Sequence, residues 1–129
     1  MRDDRCQAPV EGMTAQPNRA PLDLAYMAAM LERMKITCRI TDYAAEKLAW
    51  QDFEDDLKEF QPDLLVLSVT TPTLLRDLAA CELAKRNCPD IITVAKGAHF
   101  TPKDEEAMLA HHDLDLAIRG ESEHAVAEI

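Results

Sequence analysis

With 129 residues, 47% of them apolar, the chain is long enough for one packed core and too short for two. Its 24 acidic and 14 basic residues leave a formal net charge of −10, which argues against a phosphate-backbone partner, because that would call for a basic face. No apolar run approaches the roughly 20 residues that span a bilayer. Met1-Arg2-Asp3-Asp4-Arg5 leads into no apolar stretch, so no secretory signal is expected and the assigned compartment is the cytoplasm.

Residues 1–20 contain no buried-strand pattern, since Ala8-Pro9-Val10 is interrupted by a proline that would remove a ladder donor; they read as an irregular segment ahead of a domain at 21–129. Pro21-Leu22 starts a helix running to about Met34, so apolar that two of its faces should be covered. Ile36, Cys38 and Ile40 alternate with polar neighbours and predict a short edge strand from Ile36 to Thr41. Phe53, Leu57 and Phe60 give helical spacing to the acidic segment Asp52 to Glu59, whose charge is that of a solvated face.

Gln61-Pro62-Asp63 breaks the chain before Leu64 to Val69, a continuous apolar run expected to be the central strand. A helix follows from Pro72, with Thr71 as its cap, and ends near Asn87. Ile91 to Ala95 is the next strand, and Thr101-Pro102-x-Asp104 caps a further helix that ends at His112-Asp113. Leu114 to Ile118 is the last strand, and Ala125, Val126 and Ile129 begin a final helix. This alternation predicts an α/β fold, a doubly wound parallel sheet with helices on both faces. Both ends read as unfinished, so the chain is expected to be part of a longer protein.

The four cysteines, Cys6, Cys38, Cys81 and Cys88, lack metal-ligand spacing and read as small hydrophobes. His111-His112 suits a helix C-terminus, not a metal, because adjacent residues do not share a helix face. No nucleophile–base arrangement emerges, and no catalytic or metal-ligating residue is assigned.

The chemistry sits at the strand ends. Ser68-Val69-Thr70-Thr71-Pro72-Thr73 follows the apolar run and leads directly into a helix. Ligands of open α/β sheets bind just outside the carboxyl ends of the strands. Hydroxyls there donate and accept hydrogen bonds, and a helix start adds backbone donors. The arrangement recurs at Lys96-Gly97-Ala98-His99-Phe100-Thr101 and at Arg119-Gly120-Glu121, giving a binding edge and no hydrolytic centre.

These segments resemble one family. Pro21-Leu22-x-Leu24-Ala25-Tyr26-Met27-Ala28-Ala29-Met30-Leu31-Glu32 resembles the first helix of the cobalamin-binding domains that precede radical SAM catalytic domains. Pro62-Asp63 with Ser68-Val69-Thr70-Thr71-Pro72-Thr73 is similar to that family's central strand and loop. Lys96-Gly97-Ala98-His99-Phe100-Thr101 stands where the family usually has Gly-Gly-x-His-x-Thr, and Arg119-Gly120-Glu121-x-Glu123 matches its closing Arg-Gly-Glu-x-Glu. The resemblance covers about residues 20–129, with the segments in order and in register.

It implies a Rossmann-like sheet of flavodoxin-type strand order that holds cobalamin across its carboxyl edge; with no strand pattern in residues 1–20, the first strand of that sheet is the one expected to be lacking. It implies cofactor contacts from Ser68, Thr70, Thr71, Pro72, Thr73, Gly97, Ala98, His99, Arg119, Gly120 and Glu121. The serine and threonines would lie along the nucleotide tail, and Gly97 would let the tail's ring approach the backbone. Lys96, in place of a glycine, would crowd the tail or reach a phosphate. The Asp-x-His-x-x-Gly motif that supplies a lower cobalt ligand in other cobalamin domains is absent, as is Cys-x-x-x-Cys-x-x-Cys. S-adenosylmethionine and an iron–sulfur cluster are therefore expected only in a C-terminal radical SAM domain of the same protein, a methyltransferase or related radical enzyme.

The alternative is a cofactor-free Rossmann-like domain used for protein interaction or regulation, which Lys96 and the missing strand pattern favour. A sheet edge left open by that missing strand would be a route to homo-oligomers. A flavin or nucleotide enzyme is excluded: with three glycines the chain has neither a Gly-x-Gly-x-x-Gly turn nor a phosphate loop.

Overall fold

The computed structural model describes residues 20–97, 100 and 108–129. Helix α1 spans Leu22–Arg33, α2 Trp50–Phe60 and α3 Leu74–Asn87, and a short α4 covers Ser122–Ala125. Strands β1 (Leu64–Ser68), β2 (Ile92–Lys96) and β3 (Leu116–Ile118) form a three-stranded parallel sheet in the order β1-β2-β3. The fold is the expected Rossmann-like α/β arrangement. No described helix is long and apolar enough to cross a membrane.

The two-residue period of the strands divides the core. Leu65, Leu67, Ala95 and Ala117 face one side, where they pack with Phe53 and Leu57 of α2 and with Leu78, Cys81 and Ala84 of α3. Leu64, Val66, Val94 and Ile118 face the other, against Met27 of α1 and Val126 just after α4. Helices therefore cover both faces. The buried Cys81 thiol is pushed up to about 11 by burial and is an inert core group, as expected. Among the described cysteines none is disulfide-bonded.

Helix boundaries follow local chemistry. Asp52 Oδ2 accepts the Ala49 backbone N–H at 2.6 Å at the start of α2. Gln61 ends that helix in the left-handed region at φ 48°, its side-chain amide donating to the carbonyls of Leu57 and Lys58, and Pro62 prevents continuation. Helix α3 closes with Lys85 and Arg86 in its last turn, where cations suit the dipole.

Three expectations need correction. Ile36 to Thr41 forms no strand: the segment runs beside α2, where Arg39 pairs with Asp56 and Glu59 and the Tyr43 hydroxyl donates to Asp56 Oδ2 at 2.5 Å. Leu64–Ser68 is an edge strand of the described sheet, not a central one. In a 2-1-3 strand order the first strand lies between these two segments and pairs with both. No strand precedes α1 among the described residues, so neither has that neighbour among them. Third, α1 is covered on one face only: Met27 is buried, while Leu22 and Tyr26 are 65% and 63% exposed.

At the amino end of the sheet a polar clamp joins β2, β3 and α3. Asp115 Oδ2 accepts the Thr93 backbone N–H at 2.8 Å and the Lys85 ammonium at 2.6 Å, and Lys85 also donates to the Ile91 carbonyl. The fully buried Thr93 hydroxyl lies 2.5 Å from the Asp113 carbonyl oxygen. Burial opposes charge on Asp115, but the bonds from Lys85 and Thr93 outweigh it and hold the carboxyl below its ordinary range. The unfolded carboxyl titrates near ~3.9. The clamp's contribution is thus complete above that pH and is lost as pH falls through the lower folded value. Asp115→Asn is expected to flatten this acid limb, read by circular dichroism against pH, and to cost about 1 kcal/mol at neutral pH given the partial exposure of the pair.

Candidate functional site at the carboxyl edge

Because the strands are parallel, and Ser68 pairs with Lys96 and Lys96 with Ile118, the chain leaves all three at one edge. The segments 68–73, 96–97 and 119–122 are thereby brought together from distant parts of the sequence. The start of α1 joins them, since Asp23 in its first turn pairs with the Lys96 ammonium.

After β1, Thr70 is extended and Thr71–Thr73 form a single 3-10 turn ahead of α3. Thr71 is exposed and lies inside the 3-10 turn; the residue directly before α3 is Thr73, so Thr71 does not stand at the expected N-cap position. The Thr73 hydroxyl donates to Asp77 Oδ2 at 2.5 Å, and Thr70 Oγ1 lies 3.1 Å from Thr73 Oγ1. Burial raises the Asp77 carboxyl above its ordinary value, against the opposing effects of the Thr73 hydroxyl, the Thr70 backbone N–H and the Arg76 charge. The edge therefore presents a chain of hydroxyls, with Ser68 half-buried, Thr70 buried and Thr71 open to solvent.

Gly97 follows β2 at φ 133°, and a Cβ there would lie 2.0 Å from the Val69 carbonyl oxygen. The glycine is demanded by the chain's own close approach between the β1 and β2 ends, where the Val69 N–H also donates to the Lys96 carbonyl at 2.8 Å. Lys96 has its side chain on the α1 face and is 7% exposed, so its ammonium is directed at Asp23 within the fold. Ala98 and His99 lie outside the described residues.

After β3, Arg119, Gly120 and Glu121 are exposed. Gly120 has φ 73°, and a Cβ there would meet nothing within 4 Å. Glu121 precedes α4 without a side-chain capping bond. Buried Ser122 opens that helix. Sequence reasoning missed Asp77 and the partner of Lys96. The first was signalled by its four-residue spacing from Thr73, which puts both on one helix face; nothing local signalled the second.

The described residues hold no group of three or more His, Cys, Asp or Glu side chains placed for a metal ion. A corrin ring carries its own cobalt, so the relevant donors are those that would hold its polar periphery. Uncharged hydroxyls, an exposed arginine and the open space at Gly120 fit such a group. The Gly97 position is already filled by the Val69 carbonyl.

The chain is 31% identical over 109 residues to an uncharacterized methyltransferase of Pyrococcus horikoshii, covering 84% of this chain and 24% of that protein. It is 26% identical over 113 residues to an anaerobic magnesium-protoporphyrin IX monomethyl ester cyclase of Rubrivivax gelatinosus, covering 87% of this chain and 20% of that protein. It thus spans about a quarter or less of the curated relatives it matches. The N-terminal domain of a hypothetical protein of Thermotoga maritima superposes with a TM-score of 0.57 at 15% identity, over 95% of this chain and 89% of that one, a likeness of fold. The family described as B12 binding domain matches residues 13–129, nearly the whole chain, and the protein therefore belongs to the B12-binding domain family.

Proposed function

We propose that the chain is the cobalamin-binding module of a larger radical SAM enzyme of methyltransferase type. The observation that carries this reading is the convergence of three loops on one carboxyl edge, the first of them lined by hydroxyls, within a chain that matches the family over residues 13–129. The name of the Pyrococcus relative supports methyl transfer. When bound, cobalamin supplies a cobalt centre able to carry a methyl group. Ser68, Thr70, Thr71 and Thr73 hold the nucleotide tail by hydrogen bonds, with Pro72 fixing their turn. Arg119, Gly120 and Glu121 border the polar periphery; Ala98 and His99, outside the described residues, are assigned to the cofactor by the family resemblance alone. S-adenosylmethionine and an iron–sulfur cluster belong to a C-terminal domain beyond this chain.

The second reading, a cofactor-free domain used for protein interaction, is favoured by one observation: Gly97 and Lys96 are both accounted for by contacts inside the fold. Titration with hydroxocobalamin, followed by the visible spectrum and gel filtration, separates the two. Stoichiometric uptake is expected for the wild type. Thr71→Tyr, at an exposed position, is expected to weaken it tenfold or more, about 1.4 kcal/mol, with an unchanged thermal transition. No uptake by a folded chain that also fails as part of the full-length protein would sink the cobalamin reading.

A further inference from the structure

We propose that Asp77 is a positioning residue that orders a one-way relay of hydroxyls, Thr70 to Thr73 to Asp77, so that the edge offers Thr70 Oγ1 to a ligand as an acceptor. The relay stands on the geometry alone; only the identity of the ligand rests on the cobalamin reading above.

The argument is a count of protons. A threonine hydroxyl has one donor hydrogen and lone pairs for two acceptances, while an ionised carboxylate only accepts. The 2.5 Å contact between Thr73 Oγ1 and Asp77 Oδ2 therefore commits the Thr73 proton to Asp77. Thr73 can then only accept across the 3.1 Å contact with Thr70 Oγ1, which commits the Thr70 proton inward. The alternative acceptor for Thr73, the Thr70 carbonyl at 3.4 Å, is longer and uncharged, and loses the competition. The Thr70 hydroxyl keeps only lone pairs for a ligand, so it selects groups that donate, such as a carboxamide –NH2 or a ring N–H.

Protonating Asp77 reverses the relay. The carboxylic acid donates to Thr73, Thr73 donates to Thr70, and the Thr70 proton is released toward the ligand. Burial raises the Asp77 carboxyl, which brings this reversal to a higher pH than an ordinary aspartate would allow. Among the described residues, the groups that act on it are the Thr73 hydroxyl, the Thr70 backbone N–H and the neighbouring Arg76 guanidinium.

The test has a ligand-free arm and a binding arm. In the wild type, the carbon-13 shift of Thr70 Cβ is expected to titrate with Asp77, with a midpoint above the ordinary aspartate range. Asp77→Asn should abolish that titration. Thr73→Val, which cuts the relay but keeps the carboxyl, should remove most of it while the Thr70 amide still responds. A full Thr70 Cβ titration persisting in Thr73→Val would overturn the relay.

In the binding arm, hydroxocobalamin affinity should fall as pH is lowered through the same midpoint. Asp77→Asn, whose amide can donate or accept, should bind about threefold to tenfold more weakly at neutral pH and lose the pH dependence. Asp77→Glu should restore it. An unchanged pH profile in Asp77→Asn would overturn the positioning role. If neither this chain nor the full-length protein takes up hydroxocobalamin, the cobalamin reading falls, and the shift titration alone decides the relay.

Discussion

Gly97→Ala is expected to destabilise the domain by about 3–5 kcal/mol, a large share of the roughly 5–15 kcal/mol that holds a domain of this size folded. Two independent effects combine. A side chain at φ 133° is strained whatever space surrounds it, and the new methyl would sit 2.0 Å from the Val69 carbonyl oxygen. That oxygen is backbone and cannot rotate away as a side chain would. Relief requires the β1 and β2 ends to part, which would break the bond from the Val69 N–H to the Lys96 carbonyl. Urea unfolding should show the midpoint displaced to much lower denaturant with little change in slope. Gly120→Ala serves as the control: it carries a positive φ of 73° but no clash, so only the smaller conformational cost of about 1 kcal/mol is expected. Equal losses for the two variants would show that the Val69 contact is not the source.

Asp23→Leu is expected to cost about 3 kcal/mol or more, because it removes a carboxylate from a lysine whose side chain is only 9% exposed. Lys96→Met should cost less, since the aliphatic stem already packs on the α1 face and the carboxylate left behind is the more exposed partner, at 32% against 9% for their side chains. The double variant should recover much of the loss of Asp23→Leu, as buried ion pairs replaced together by apolar groups often do. A double-mutant cycle in urea gives the coupling directly. Coupling near zero would mean that the pair stabilises nothing beyond its packing. The same variants bear on the site: Lys96 occupies a position where the resembling family usually has glycine, and its pairing with Asp23 ties α1 to the binding edge.

The local structure was legible because its causes are local. The acidic helix, the strand after Gln61-Pro62-Asp63 and the helix ending at Asn87 each follow from side-chain period and from prolines within a few residues. The placement of hydroxyls at the carboxyl edge was legible for the same reason, since residues directly after an apolar strand must sit at its carboxyl end. Ile36 to Thr41 shows the limit: its alternation is that of a strand, yet a strand exists only with a neighbour, and none lies beside it among the described residues. Helix α1 carries two apolar faces by composition, but only packing determined that Met27 is inside and Tyr26 outside.

By itself, then, the sequence determined most of the described helices and strands, Ile36 to Thr41 excepted, and which residues stand at the strand ends. The tertiary structure decided what those residues touch. Lys96 and Asp23 are 73 positions apart, and no local pattern relates them. The family resemblance makes Gly97 room for a ligand, whereas the register of β1 on β2 brings the Val69 carbonyl into that space. Such contacts depend on how the strands pair and how the helices are laid across them, and that information is carried by the whole chain together.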